Sequence, residues 1–403
     1  MKKLGLGVFI LLALMLVLTL SFSPCVKSAT AAEKELVIGG IFGLSGPGSE
    51  SFSRLYSGVK GGIAWINGKG GITIKGDKYL IKIIAEDSKM SPDGMIAAAN
   101  KLVFQDKVKF MIQAVPIPPF KAAIIKLLED NKVLSVETDG IGVNAEFSPQ
   151  ISYSFAITVA RAAYDIGWKN FVKFYPQAKT VAIVPPEDPS TIEDAQHLGN
   201  AAKAYGLKVV AEEHYPFGTA DFYPLWTKLL SIKPEIVAAS AGLPEWIGGV
   251  IKQGRELGFK GPFCLIMLGA DPNVIIKIAG DKYATDIFAV NFDFANPKMP
   301  PMVKEMARVI KEKIGVEMGV DAFMGFETLW VLTQAIENAQ SLDSTVVRDA
   351  FGKMKKIETP TGPGKLGGLK TYGINCIVLK PLPMVKIMNG KIEHLGWFDP
   401  VLP

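Results

Sequence analysis

Residues 36–72 read LVIGGIFGLSGPGSESFSRLYSGVKGGIAWINGKGGI, and the order of signals within them decides the fold. The apolar run 36–42 has the length and near-continuous hydrophobicity of a buried strand. Gly43, Gly46, Pro47 and Gly48 then mark a turn. Over 52–67 the apolar residues recur at helical spacing, and Gly68 closes the helix. Strand, turn and helix in that order open a parallel α/β unit.

The same alternation continues outward. A strand is expected at 79–86, then a helix at 91–105 with Ser91 as N-cap and Pro92 in its first turn. A strand at 110–115, a helix at 118–131 and a strand at 133–136 follow. The pattern then restarts, with strands at 180–184, 208–213, 236–240 and 263–268 separated by helices at 191–205, 222–232 and 243–257. Residues 272–355 read as mostly helical with one strand near 287–292. The tail carries strands near 376–379 and 384–388, and Asn389-Gly390 is a type I′ hairpin signal. Two parallel-sheet modules are therefore expected, with later segments shared between them.

At the start of the chain, Lys2 and Lys3 precede an apolar run from Leu4 to Leu20, and Ala29-Thr30-Ala31 supplies a small-x-small site. These are the parts of a secretory signal over residues 1–31, which implies an extracytoplasmic, periplasmic location after cleavage. An uncleaved anchor is the other reading, weakened by the short run and by Gly5 and Gly7. Cys25 raises a lipid-anchored alternative, but Pro24 before it fits such a site poorly. Removing Lys2, Lys3 and Lys27 lowers the formal charge from +5 to +2. So balanced a chain has no electrostatic footprint for nucleic acid. The remaining length exceeds one comfortable core, so two domains are expected. Cys264 and Cys376 cannot form a disulfide framework or a Cys-rich metal site. They read as buried apolar side chains, with a mutual bridge as the lesser alternative.

Ligands of open parallel sheets bind beyond the carboxyl ends of the strands. That directs attention to loops 43–51, 116–119, 137–144, 185–190, 241–246 and 267–272. Two facing modules with such loops imply a cleft.

Several segments then carry a resemblance. Ser45-Gly46-Pro47 follows the first strand, and Gly58 to Asn67 leads into Gly70-Gly71-Ile72. Glu86-Asp87 precedes Ser91-Pro92 and the stretch Ala97 to Leu102. Gly218-Thr219-Ala220-Asp221-Phe222, Pro244-Glu245 and Phe326 to Ile336 follow in the same order. Over nearly its whole mature length the chain resembles the periplasmic branched-chain amino acid-binding proteins of ABC transporters. The resemblance implies the type I periplasmic binding fold: α/β, two Rossmann-like lobes with parallel sheets, joined by three hinge crossings. The crossings would lie near 153–158, 264–267 and 358–364. The first lobe would combine 36–155 with 268–357, the second 156–263 with 365–403. Such proteins close on a solute by hinge motion and deliver it to a membrane permease, so the solute must touch both lobes. No cofactor and no metal is implied, and a monomer is expected.

The departures bear on the solute. In amino-acid-binding members a Ser and a Thr of the first lobe hold the α-carboxylate and ammonium, and a Glu at the second crossing faces the ammonium. An ungapped comparison brings Ile117, Gly140 and Met267 to those positions, and Ser190 and Gly242 to two wall tyrosines. A buried ammonium without an anionic partner costs several kcal/mol. The remaining lining is Phe52, Val115, Pro116, Ile117, Pro118, Leu243, Trp246, Met267 and Phe323, with Ser51, Thr138, Asp139, Ser190 and Glu245 as polar members. It suits an aromatic or aliphatic carboxylate, or another largely apolar solute. Arg161, just past the first crossing, either pairs with a carboxylate or is a solvated helix-start residue. Glu137 and Asp139 are ligand hooks or, preferably, loop caps. Trp246 and Phe323 read preferably as core, and Met267 equally as core or pocket. A branched-chain amino acid or amide remains the alternative ligand.

An enzyme is the competing class, and the sequence argues against it. The only histidines are His197, His214 and His394, and neither His197 nor His394 lies near an expected cleft loop. There is no G-x-S-x-G, H-E-x-x-H or P-loop, and Gly43, Gly46 and Gly48 have the wrong spacing for a dinucleotide fingerprint. A ligand sensor feeding a receptor is a further alternative, because the fold serves both uses.

Overall fold

Apolar runs of three to nine residues that are buried on both faces must lie side by side under helices, because each strand's own backbone groups need a paired neighbour. The computed structural model describes residues 34–402 apart from 47–48, 115–117, 139, 141, 143–145 and 240, together with the backbone but not the side chains of Ser51, Pro118 and Pro189. The expected signal sequence and Cys25 lie outside the described residues.

The strands are β1 Lys34–Phe42, β2 Ile72–Ile74, β3 Asp77–Asp87, β4 Phe110–Ala114, β5 Leu134–Glu137, β6 Ser154–Ala156, β7 Thr180–Val184 and β8 Lys208–Glu212. They continue as β9 Ile236–Ala239, β10 Phe263–Leu265, β11 Ile287–Ala289, β12 Ile357–Thr359, β13 Gly362–Gly367, β14 Ile377–Leu379, β15 Leu382–Met388 and β16 Lys391–Phe398. The helices are α1 Ser49–Gly68, α2 Pro92–Asn100, α3 Pro118–Asp130, α4 Tyr164–Phe174, α5 Pro189–Ala204 and α6 Tyr223–Ile232. They continue as α7 Pro244–Glu256, α8 Pro272–Ala279, α9 Pro301–Ile314, α10 Val320–Ala339, α11 Ser344–Phe351 and α12 Leu369–Tyr372. Ser91 caps α2 by accepting from the Gly94 N–H. Asn389 and Gly390 both have positive φ, 50° and 72°, as a type I′ turn between β15 and β16 requires.

Two sheets result. The first has nine strands in the order β12-β13-β14-β6-β5-β4-β1-β3-β2, and the second has seven in the order β16-β15-β11-β10-β9-β7-β8. Their centres are parallel: β14–β6–β5–β4–β1 in one and β11–β10–β9–β7–β8 in the other. Helices α1 and α10 pack so closely that Gly58 and Gly325 are required. A Cβ at Gly58 would stand 1.9 Å from the Ala322 carbonyl oxygen, and one at Gly325 would stand 2.0 Å from that of Leu55.

Sheet membership corrects two of the expected boundaries. β11 lies in the second sheet, although 268–357 was expected wholly in the first lobe. β13 and β14 lie in the first sheet, although 365–403 was assigned to the second lobe. The chain therefore passes between sheets after β6, after β11 and between β14 and β15, not at 264–267 or 358–364. The reason is local: β10, α8 and β11 form one strand–helix–strand unit, and such a unit returns its second strand beside its first.

The passages are held by buried polar contacts. The Ala156 N–H donates to the Cys376 carbonyl (3.0 Å), tying the first passage to the third. Asn291 Nδ2 donates to the carbonyls of Leu268 (3.0 Å) and Ala270 (2.7 Å), fixing the second. Lys380, between β14 and β15, forms a buried ion pair with Glu327 of α10. Cys264 and Cys376 are both free and buried, so the bridge alternative falls.

Candidate functional site

The carboxyl end of the first sheet is organised by carboxylates. Asp87, at the end of β3, accepts from the N–H groups of Leu44 (2.9 Å), Ser45 (3.3 Å) and Lys89 (2.8 Å) and from the Ser45 hydroxyl (2.6 Å). Burial raises its pKa, but the hydrogen bonds from Ser45, Lys89 and Leu44 outweigh that and hold the carboxyl below its ordinary range. The Ser45-Gly46 turn is thus fixed to β3, with Gly46 at φ 90°.

Glu137 ends β5 and is an ion-pair residue, which corrects its reading as hook or cap. Lys121 of α3 contacts its carboxylate, and the Ser154 hydroxyl donates to it at 3.0 Å. Lys121 Nζ also donates to the Glu146 carbonyl (2.8 Å) and stands 3.8 Å from the centre of the Phe147 ring. Burial pushes the Glu137 carboxyl up against the pull of Lys121. Beside it, Thr138 is fully buried, and its hydroxyl has no hydrogen-bond partner. The Glu146 carboxylate accepts from the Gly142 N–H (2.6 Å), and the Tyr372 hydroxyl donates to the Gly142 carbonyl (2.7 Å). Arg161, half-buried, lies beside this loop with its guanidinium 5.9 Å from the Tyr372 ring centre.

The carboxyl end of the second sheet is different. Asp188 caps α5 and accepts from both the N–H (2.8 Å) and the hydroxyl of Ser190. Ser190 therefore belongs to the cap. Tyr215, beyond β8, is zipped to the loop after β7: its N–H donates to the Pro185 carbonyl (3.2 Å), and the Glu187 N–H donates to its carbonyl (2.7 Å). Leu243 and Glu245 are half-buried at the start of α7, and Met267 is half-buried past β10. Phe52 and Phe323 stand in the hydrophobic core rather than on an open wall, with Phe323 against Phe292 at 4.4 Å. Val115, Pro116, Ile117 and Asp139, and the side chain of Ser51, lie outside the described residues.

The two ends meet at a cluster that sequence reasoning missed. Asp271 Oδ1 accepts from the Asn273 N–H (2.9 Å) and caps α8, while Oδ2 accepts from the Val320 N–H of α10 (3.3 Å). Next to it Arg54 of α1 pairs with Asp321 (3.2 Å). Burial pushes Asp321 up to about 7; Arg54 opposes, and Asp271 and Glu245 add to the rise. Asp271-Pro272 was legible as a helix start, but its contact with a residue 49 positions away was not.

A surface groove of about 630 Å³, lined by Tyr175, Lys233, Phe259 and Asp286 among others, lies at the opposite, amino ends of β7, β9, β10 and β11. It belongs to one sheet only, so a solute there cannot bridge the lobes. His197 pairs with Glu193 and His214 with Glu212. Among the described residues no group of three or more His, Cys, Asp or Glu is arranged to hold a metal, and no helix is long and apolar enough to cross a membrane.

Comparison with known proteins agrees with this arrangement. The Leu/Ile/Val-binding protein homolog 3 of Brucella melitensis is 26% identical over 87% of this chain and 92% of its own length. The branched-chain amino acid transporter substrate binding protein LivJ from Streptococcus pneumoniae, solved with isoleucine, superposes with a TM-score of 0.75 at 19% identity, over 91% of this chain and 100% of its own. An ABC-transporter solute binding protein of Rhodopseudomonas palustris, solved with 3,4-dihydroxy benzoic acid, gives 0.73 at 20% identity, over 92% and 99%. These structures have the two-sheet α/β architecture of type I periplasmic binding proteins. The sequence profile described as Periplasmic binding protein matches residues 35–378. The chain therefore belongs to the periplasmic binding protein family, extracytoplasmic binders rather than enzymes, and is a solute-binding protein of the ABC-transporter type.

Proposed function

We propose that this protein, exported by the signal over residues 1–31, acts as a monomeric receptor of an ABC importer. It closes two lobes on a largely apolar or aromatic carboxylate rather than on a standard amino acid, and passes it to a membrane permease. The observation that carries this reading is the uncharged character of three described groups in the strand-end loops. Thr138 offers a buried hydroxyl with no partner, Gly140 has no side chain, and Met267 is a thioether. A carboxylate accepts from hydroxyls, whereas an ammonium requires an anion. The ligand of the Rhodopseudomonas palustris protein, 3,4-dihydroxy benzoic acid, belongs to the proposed class.

One observation favours a second reading. Asp271 and Glu245 push up the Asp321 carboxyl against the pull of Arg54, and a solute ammonium would relieve that repulsion. Asp271 and Asp321 are already engaged by helix N–H groups and by Arg54, which favours the acid. Titration calorimetry of the mature protein with benzoate, 3,4-dihydroxybenzoate, leucine and isoleucine separates the two. Tight leucine or isoleucine binding without binding of either aromatic acid overturns the first reading.

A further inference from the structure

The phenol of Tyr215 stands in the core of the second sheet, and its hydroxyl has no hydrogen-bond partner. Its backbone is fixed by the zipper to the loop after β7, so the ring has a defined direction. The ring stands edge-on to Phe222 (centroids 5.1 Å apart, 87°) and to Trp246 (6.3 Å, 85°). It thereby reaches across to the loop after β9. There a Cβ at Gly242 would lie 2.6 Å from the Tyr215 hydroxyl, so only glycine leaves the phenol its position. The residue is 3% exposed, and the hydroxyl is buried with no hydrogen-bond partner. Loops following β7, β8 and β9 all converge on it, at the end of the sheet where open α/β folds take their ligands.

Native proteins seldom leave a buried hydroxyl unpaired, and an exception calls for an explanation, of which a transient ligand is one. Burial raises the phenol's pKa well above its ordinary value, so the group stays protonated and keeps its donor. A neutral donor is matched by an acceptor-only oxygen, and a carboxylate is the strongest such partner.

We propose that the Tyr215 hydroxyl is the second sheet's specificity-determining ligand contact, donating a hydrogen bond to a carboxylate oxygen of the solute. This deepens the solute-binding reading above and rests on it. Gly242 is the positioning residue, because any side chain there displaces the phenol.

The test compares wild-type, Tyr215→Phe and Gly242→Ala as full mature chains. Calorimetric titration with benzoate, 3,4-dihydroxybenzoate and leucine measures affinity, and thermal melting without added ligand measures stability. Tyr215→Phe keeps the ring and removes only the hydroxyl. Whichever acid binds the wild type is expected to bind this variant about ten- to a hundredfold more weakly, the worth of a hydrogen bond to a charged group. The ligand-free melting temperature should stay level or rise, since an unpaired buried hydroxyl is lost. Gly242→Ala should weaken the same acid. Unchanged affinity of Tyr215→Phe overturns the assignment, and so does a ligand-free melting temperature several degrees lower, which would mean that the hydroxyl serves the fold. A wild type that binds none of the three acids overturns the carboxylate partner and the preceding reading together, whereas unaltered binding by the variant alone removes only Tyr215.

Discussion

The carboxyl ends of the two sheets solve the same problem with different chemistry. Around the first sheet the loops are held by charge: the half-buried Asp87 gathers four donors, the buried Lys121 joins Glu137 to the Glu146 backbone, and the Glu146 carboxylate holds Gly142. Around the second they are held by aromatic edges and helix caps, with Trp246 edge-on to both Tyr215 and Phe217 and Asp188 and Asp271 at helix starts. Buried charges fix geometry but are costly to disturb, and aromatic contacts tolerate rearrangement. The contrast predicts that the described charged anchors of the first sheet are costlier to disturb than the aromatic contacts of the second.

Lys121→Met attacks the charged side most directly. It leaves the Glu137 carboxylate buried without its cation, and the expected loss is about 3–5 kcal/mol in urea unfolding. Adding Glu137→Leu should recover most of that loss. If the single variant is as stable as wild type, the first lobe's loops are not held by charge.

The seam between the lobes is next. Asp321 has a folded-state pKa of about 7, above its ordinary 3.8. The folded protein therefore binds a proton that the unfolded chain releases, and stability falls as pH rises from about 4 to about 7. Asp321→Asn removes that dependence and should raise stability at pH 8 by about 1–3 kcal/mol, with little change near pH 4. Urea midpoints at the two pH values decide this. Equal pH profiles for variant and wild type would place the titration elsewhere.

Two smaller effects sharpen the second lobe. Asp271→Ala removes the cap of α8 and the acceptor for the Val320 N–H, at a cost of about 1 kcal/mol. Ser190→Ala removes a hydroxyl bound to Asp188, and the expected cost is about 0.5 kcal/mol with solute affinity unchanged. A large loss of affinity in Ser190→Ala would return that hydroxyl to the solute.

Much of this was legible in the sequence. Expected strands at 36–42, 180–184 and 236–240 correspond to β1, β7 and β9 within two residues at either end, because each is a short apolar run bounded by turn signals. The expected helix at 91–105 is α2 followed by a π turn over Lys101–Gln105, a local widening that helical periodicity does not signal. The short strands β2, β6, β12 and β13 escaped notice, since three to six residues carry too little pattern. At the candidate site, Thr138 and Glu245 could be singled out as polar residues in strand-end loops. Tyr215 could not, because its significance lies in the unpaired hydroxyl and in its distance to Gly242.

By itself, then, the sequence determined that strands and helices alternate, that β15 and β16 meet through a type I′ turn, and that the chain has only three histidines. These depend on neighbours a few residues apart and on composition. Only the tertiary structure decided that β11 joins the second sheet and β14 the first, that Lys121 meets Glu137, and that Asp271 spans two helix starts. An apolar strand is equally content beside any apolar partner, and a charge is equally willing to meet any opposite charge. The choice among them is made by the packing of the whole chain.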